Sequence, residues 1–164
     1  VHLNDPDQKE RLMQKGRELL ENFVDLQSKR SGKPELLEKS FEIELPNARL
    51  TGRIDRVDKT PTGLAIIDYK TGKKDESRLK KDMQLPIYSL ACKDIFGEYP
   101  SSLIFMFLRD AKIHECSFEP EALEAIRSEI EDRIEKINLS DFAATPGYDC
   151  RYCDFRRICP ARQG

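Results

Sequence analysis

The pattern of this chain predicts an α/β fold, a mixed β-sheet flanked by helices. Three observations lead there. An amphipathic stretch near the N-terminus is followed by three β-like runs separated by short turns. A continuous apolar run from Leu103 to Leu108 has the composition of a strand covered on both faces. A second amphipathic stretch opens at Pro120 and keeps its apolar residues on one helical face. At 164 residues the chain is long enough for one domain with one core.

The elements follow in order. Asp5 before Pro6 reads as a helix N-cap and first turn, and Leu12, Leu19, Leu20, Phe23, Val24 and Leu26 form the apolar stripe behind it. Gly32 and Pro34, within the segment Ser28 to Glu35, end that helix. Phe41 to Leu45 alternates apolar and acidic residues, a turn at Pro46 and Asn47 leads into Leu50 to Val57, and a turn from Lys59 to Gly63 leads into Leu64 to Lys70. Connections this short imply an antiparallel meander. A helix is expected over roughly Ser77 to Phe96, then the strand Leu103 to Leu108 and a hairpin partner over Lys112 to Phe118. The last helix carries Leu123, Ile126, Ile130, Ile134 and Ile137 on one face, and from Asp141 the chain is irregular and then rich in cysteine. This divides the single domain 1–164 into an N-terminal helix and linker (1–35), a core (36–140) and a tail (141–164). The start at Val1 rather than Met reads as an excised piece.

Composition narrows the function classes. With 38% hydrophobic and 35% charged residues the chain is expected to be a soluble globular protein. No apolar run approaches the roughly 20 residues of a membrane helix, and no signal peptide is visible. The net charge of −2 argues mildly against binding nucleic acid by charge alone. Local basic clusters do exist, at Lys70, Lys73, Lys74, Arg78, Lys80 and Lys81, and at Arg151, Arg156, Arg157 and Arg162, and each also reads as a solvated face. Three of the five cysteines crowd the last 15 residues, which suggests metal ligation more than a disulfide framework and places the protein in a reducing cytoplasm.

The residues with chemistry in them are Asp68 and Lys70. They are two apart on a strand, so both side chains share one face with Leu64 and Ile66. Burying them at the end of an apolar run is costly without a reason. Asp55 lies on the preceding strand, and hairpin geometry can bring it close to Asp68. Two close carboxylates repel, and a hard divalent cation, magnesium or manganese, would relieve that. Such an ion polarises a scissile phosphate and activates water, while Lys70 orients that water and offsets charge developing on the phosphate. By spacing alone, the same residues also read as a surface Asp–Lys pair with Asp55 in a solvated Arg53–Asp55 ladder.

Three segments carry a resemblance: Gly52 to Asp58 (G-R-I-D-R-V-D), Ile66 to Gly72 (I-I-D-Y-K-T-G) and Gln84 to Tyr88 (Q-L-P-I-Y). In this order they resemble the RecB-like branch of the PD-(D/E)xK nucleases, in particular the nuclease domains at the C-terminus of UvrD- and AddAB-type superfamily I helicases. The likeness runs from about Glu38 to Pro160. It implies a restriction-endonuclease-like core and a metal-dependent deoxyribonuclease, in exonuclease form, that acts on DNA beside helicase domains in repair or recombination. A catalytically inactive DNA-binding module on the same fold is the alternative. Position by position, it implies Asp55, Asp68 and the backbone carbonyl of Tyr69 as metal ligands and Lys70 as the catalytic lysine, with Gln84 and Tyr88 near the site against DNA. Gln84 and Tyr88 are four apart, which independently puts them on one helical face. Pro86 between them should make that helix start late or kink. Glu38 matches an acidic position ahead of the first strand in the family, and reads equally as a plain surface glutamate. The branch carries a histidine on a helix well upstream. Neither His2 nor His114 stands in that context, so the histidine helix is expected before Val1.

The tail signature is Cys150-x2-Cys153-x5-Cys159 followed by Pro160. The resemblance implies a 4Fe–4S cluster, which needs a fourth thiolate. Cys92 reads as buried core and Cys116 as an ordinary strand residue, so the fourth ligand is expected outside this chain. A zinc site completed by another group, or empty thiols, are the alternatives.

Overall fold

The computed structural model describes residues 5–73, 79 and 82–162. Helix α1 (Pro6–Ser28) starts where the cap predicts: Asp5 Oδ1 accepts from the Asp7 N–H at 3.0 Å, and Pro6 takes a first-turn position that needs no N–H. Strands β1 (Lys33–Leu45), β2 (Ala48–Thr60) and β3 (Gly63–Lys70) form the antiparallel meander. Helix α2 (Gln84–Phe96) crosses over to β4 (Ser102–Phe107), which pairs parallel to β3, and β5 (Lys112–Cys116) returns antiparallel. Helix α3 (Pro120–Asn138) follows, and the tail ends in three short 3-10 turns at Tyr148–Arg151, Asp154–Arg157 and Pro160–Arg162. The sheet order is β1-β2-β3-β4-β5, so the expected mixed sheet flanked by helices is observed.

Strand β4 shows why its apolar run is continuous. Leu103, Phe105 and Phe107 join the core on one face with Leu64 and Ile66 of β3, Leu85 and Leu90 of α2 and Leu123 and Ile130 of α3. Ile104 and Met106 join Ala65, Ile67 and Leu26 of α1 on the other. Asp68 and Lys70 therefore project to the α2 side of the sheet, in line with Ile66.

Several boundaries differ from the sequence reading. Strand β1 begins at Lys33, inside the segment read as a linker. Pro34 is tolerated there because β1 is an edge strand and its register shifts between Pro34 and Leu36. Glu38 accordingly lies within β1 rather than ahead of the first strand. The stripe on α1 is only partly used: Leu26 is buried and Phe23 packs on the sheet, whereas Leu12, Leu20 and Val24 are 48%, 66% and 64% exposed. A helix of 23 residues is about 34 Å long, and the small apolar strip offered by Ala65, Ile67, Ile104 and Met106 needs only its last turns. Helix α2 starts at Gln84, with Pro86 in its first turn, where the missing N–H costs nothing. Much of the expected earlier part, Ser77, Arg78, Lys80 and Lys81, lies outside the described residues, as does Lys74. The helix ends at Gly97, whose φ of 78° is left-handed and whose N–H returns to Lys93 O at 2.9 Å.

Candidate active site

Alternation along β3 sets Asp68 and Lys70 side by side. Asp68 is 1% exposed, and Lys70 Nζ stands 2.6 Å from its Oδ2. The ammonium also lies 5.1 Å from the centroid of the Phe105 ring, which β4 places opposite Asp68. Asp55 arrives from β2. The ladder reaches Arg56 opposite Ile67, and one step further Asp55 Oδ2 accepts the Tyr69 N–H at 3.0 Å. The backbone between Asp68 and Lys70 thus holds the second carboxylate. Ile54 and Val57, three apart on β2, join the same core cluster, which strict alternation would forbid. The face reverses between Ile54 and Arg56 without a change of register, and Asp55, between them, reaches β3 with its carboxylate.

Charge in this pocket is strained. Burial pushes the Asp68 carboxyl up to about 6; Lys70 opposes the shift, and Asp55 and Asp82 add to it. Lys70 meets Asp68 Oδ2 as an ion pair, and that buried oxygen has no further partner among the described residues, which leaves it a lone pair unused. An oxygen of this kind beside a second carboxylate suits a hard divalent cation. Among the described residues no group of three His, Cys, Asp or Glu side chains is placed to hold a metal. The site therefore offers two carboxylates, and the remaining coordination positions fall to backbone, water or substrate oxygens, as is usual for magnesium.

Gln84 and Tyr88 complete the cluster from the first turns of α2. Lys70 Nζ donates to Gln84 Oε1 at 2.5 Å, and Gln84 Nε2 donates to Tyr88 Oη at 2.6 Å. Gln84 thereby orients the lysine, and burial raises the Tyr88 hydroxyl above its ordinary range. The Phe41 ring meets Tyr88 edge-on at 5.8 Å. It can do so because position 52 is glycine: a Cβ there would stand 2.6 Å from Phe41 Cζ. The first residue of the G-R-I-D-R stretch thus leaves room for the ring that supports Tyr88.

Glu38 stands apart from this cluster. Its side chain is 60% exposed and pairs with Arg53 at 3.0 Å, while the Asp55 carboxylate turns to the Tyr69 N–H rather than to Arg53. The sequence reading missed a second charged pair. Arg56 and Asp58, 5% and 0% exposed, face α1 and join through two contacts, Nε to Oδ1 and Nη2 to Oδ2, the latter at 2.9 Å. Arg56 Nη1 also donates to Gln27 Oε1 at 3.1 Å and reaches Tyr69 Oη at 3.4 Å. Gly32 admits Asp58, since a Cβ there would stand 2.6 Å from its Oδ2. The signal was the same two-residue spacing that flagged Asp68 and Lys70.

In the tail, Cys150, Cys153 and Cys159 line one cavity of about 270 Å³ together with Arg151 and Arg156. Cys92 is buried among core residues, where burial pushes its thiol up to about 12, and Cys116 lies on β5. Neither lines that cavity, and although Cys150, Cys153 and Cys159 share it, they are not gathered as a metal-holding group of three among the described residues.

The profile of the PD-(D/E)XK nuclease superfamily matches residues 3–160. Gene 69 protein of Mycobacterium phage D29 is 34% identical over 132 residues, which cover 76% of this chain and 47% of that protein. The chain thus spans about half the length of this curated relative. A solved structure described as "Crystal structure of SSO0001" aligns over 89% of this chain and 68% of its own, at 21% identity and a TM-score of 0.46. The mixed five-stranded sheet is consistent with a restriction-endonuclease-like core. No helix among the described residues is long and apolar enough to cross a membrane. Since the profile spans nearly the whole chain and the two aspartates and the lysine meet on adjacent strands, the chain belongs to the PD-(D/E)XK nuclease superfamily.

Proposed function

We propose that this chain hydrolyses DNA phosphodiesters with magnesium or manganese at Asp55 and Asp68. The observation that carries the reading is the buried Asp68 Oδ2 with its unused lone pair, set beside Asp55 and Lys70. Asp55, Asp68 and the Tyr69 carbonyl would hold the ion, which when bound supplies Lewis acidity at the scissile phosphate. Lys70 places an ammonium where a phosphodiester gains negative charge in its transition state. Gln84 fixes the lysine's direction, and Tyr88 fixes Gln84, so the cation is set before substrate arrives. Resemblance to the RecB-like branch supports exonuclease action as the module of a helicase–nuclease in repair or recombination. It also supports three of the four thiolates of a 4Fe–4S cluster at Cys150, Cys153 and Cys159. Five free cysteines suit a reducing cytoplasm.

The test is a cleavage assay on linear and circular single-stranded DNA with magnesium or manganese, paired with manganese titration calorimetry. Lys70→Ala should lower cleavage by about a hundredfold or more while circular dichroism is unchanged. Asp68→Ala should lose manganese binding. Wild-type cleavage by folded Lys70→Ala, or equal manganese binding by Asp68→Ala, overturns the reading.

A further inference from the structure

We propose that the tail turns grip a single DNA strand, with Tyr148, Tyr152 and Phe155 as stacking platforms and Arg151 as the cation beside them. This rests on the nuclease reading above and adds a binding surface to it. The three rings are 68%, 75% and 69% exposed and fall within two consecutive short turns and the two residues between them. Rings gathered in one exposed patch mark a contact surface more often than a single exposed ring does. The Tyr148 and Tyr152 rings lie 6.1 Å apart and tilted by 58°, so they do not stack on each other, and the Arg151 guanidinium lies 5.2 Å over Tyr148. None of the three rings lines the cysteine cavity. Arg151 lines that cavity and also lies over Tyr148, so the rings border the thiol cavity without lining it.

Charge selects the occupant. From Tyr148 to Arg162 four arginines stand against two aspartates, a local charge of +2 on a chain of net −2. Positive charge interleaved with aromatic faces is the composition that holds an unpaired strand: arginines follow the phosphates and rings take the bases. A duplex keeps its bases stacked on each other and offers no base face to these rings. A protein contact would instead shed charge from its centre, and here a charged residue directly follows or precedes each ring.

Fluorescence anisotropy with a labelled oligothymidine of about 16 nucleotides tests this. The full chain is used in EDTA, so that binding is read without cleavage. Tyr152→Ala and Phe155→Ala should each weaken binding by about tenfold, while Tyr152→Phe binds as wild type does. Arg151→Ala should reduce the slope of log affinity against log salt by about 0.7. Blunt duplex should bind more weakly than the oligothymidine. Unchanged affinity in the triple variant Tyr148→Ala/Tyr152→Ala/Phe155→Ala overturns the proposal. Ring-dependent binding that is equal for duplex, or ring-dependent self-association with no DNA binding, overturns it as well. Because the measurement needs no catalysis, a negative result leaves the Lys70 assignment standing, and failure of that assignment leaves this result interpretable.

Discussion

A carboxyl group that is 1% exposed and stands near a second carboxylate is held in place at a cost to stability. Burial raises Asp68 from 3.8 to about 6, so the folded protein favours its protonated form. The stabilising contribution of that proton is complete below the unfolded value and is lost as pH rises through about 6. In EDTA the wild-type chain should therefore lose stability between about pH 4 and 7, by up to roughly 3 kcal/mol, since each pH unit separating the folded and unfolded values is worth about 1.4 kcal/mol. Asp68→Asn should flatten that profile and be the more stable protein at neutral pH, as expected where a functional group is strained. Thermal unfolding across pH checks this, and a wild-type profile as flat as that of Asp68→Asn would count against it. Asp68 and Lys70 were legible because alternation in a short strand fixes which residues share a face. Gln84 and Tyr88 were legible from helical spacing. Arg56 and Asp58 were not, because R-V-D on a strand looks like a solvated edge until a helix from the start of the chain is laid over it. Gln27, which receives Arg56, is 29 residues earlier in sequence.

Elements position these groups through close approaches that a pattern of polar and apolar residues does not record. The Phe41 ring is 8% exposed and fills the space above Gly52. Gly52→Ala should force that ring from its seat, destabilise the protein by about 1–3 kcal/mol and slow cleavage through displacement of Tyr88. Urea unfolding together with the cleavage assay checks this, and full activity at wild-type stability would rule out the contact as a support of the site. The type and order of the elements were readable from periodicity. The long reach of β1 was not, because Gly32 and Pro34 signal a break, and an edge strand with a register shift accommodates what a central strand would reject. The reversal of face at Asp55 has no signature in the pattern either, since it depends on how β1 and β3 both pair with β2.

At the scale of the molecule, the sheet-and-helix body and the tail are stabilised separately. Nearly every residue from Asn138 to Ala161 is exposed, and the turns Tyr148–Arg151 and Asp154–Arg157 bury none of their residues. A chain ending at Leu139 should keep a single cooperative transition within about 3 °C of the full protein, since roughly 2–4 °C corresponds to 1 kcal/mol at this size. Scanning calorimetry checks this, and a larger fall would mean that the tail packs on the body. The parallel pairing of β3 with β4 was the least legible feature of the body. It is fixed by the crossover through α2 and by hydrophobic cover on both faces, and neither is local. That pairing bears on the order of events during synthesis. Every polar group of the site, from Asp55 to Tyr88, comes from one unbroken stretch of chain, so the carboxylates, lysine and glutamine can meet by closing short loops. Phe105, which covers Asp68 and Lys70, emerges later and joins only when β4 zips onto β3. A half-made chain would hold the right residues in a wet, high-dielectric cleft where their charges count for little. The site is in effect closed by the fold's own fourth strand.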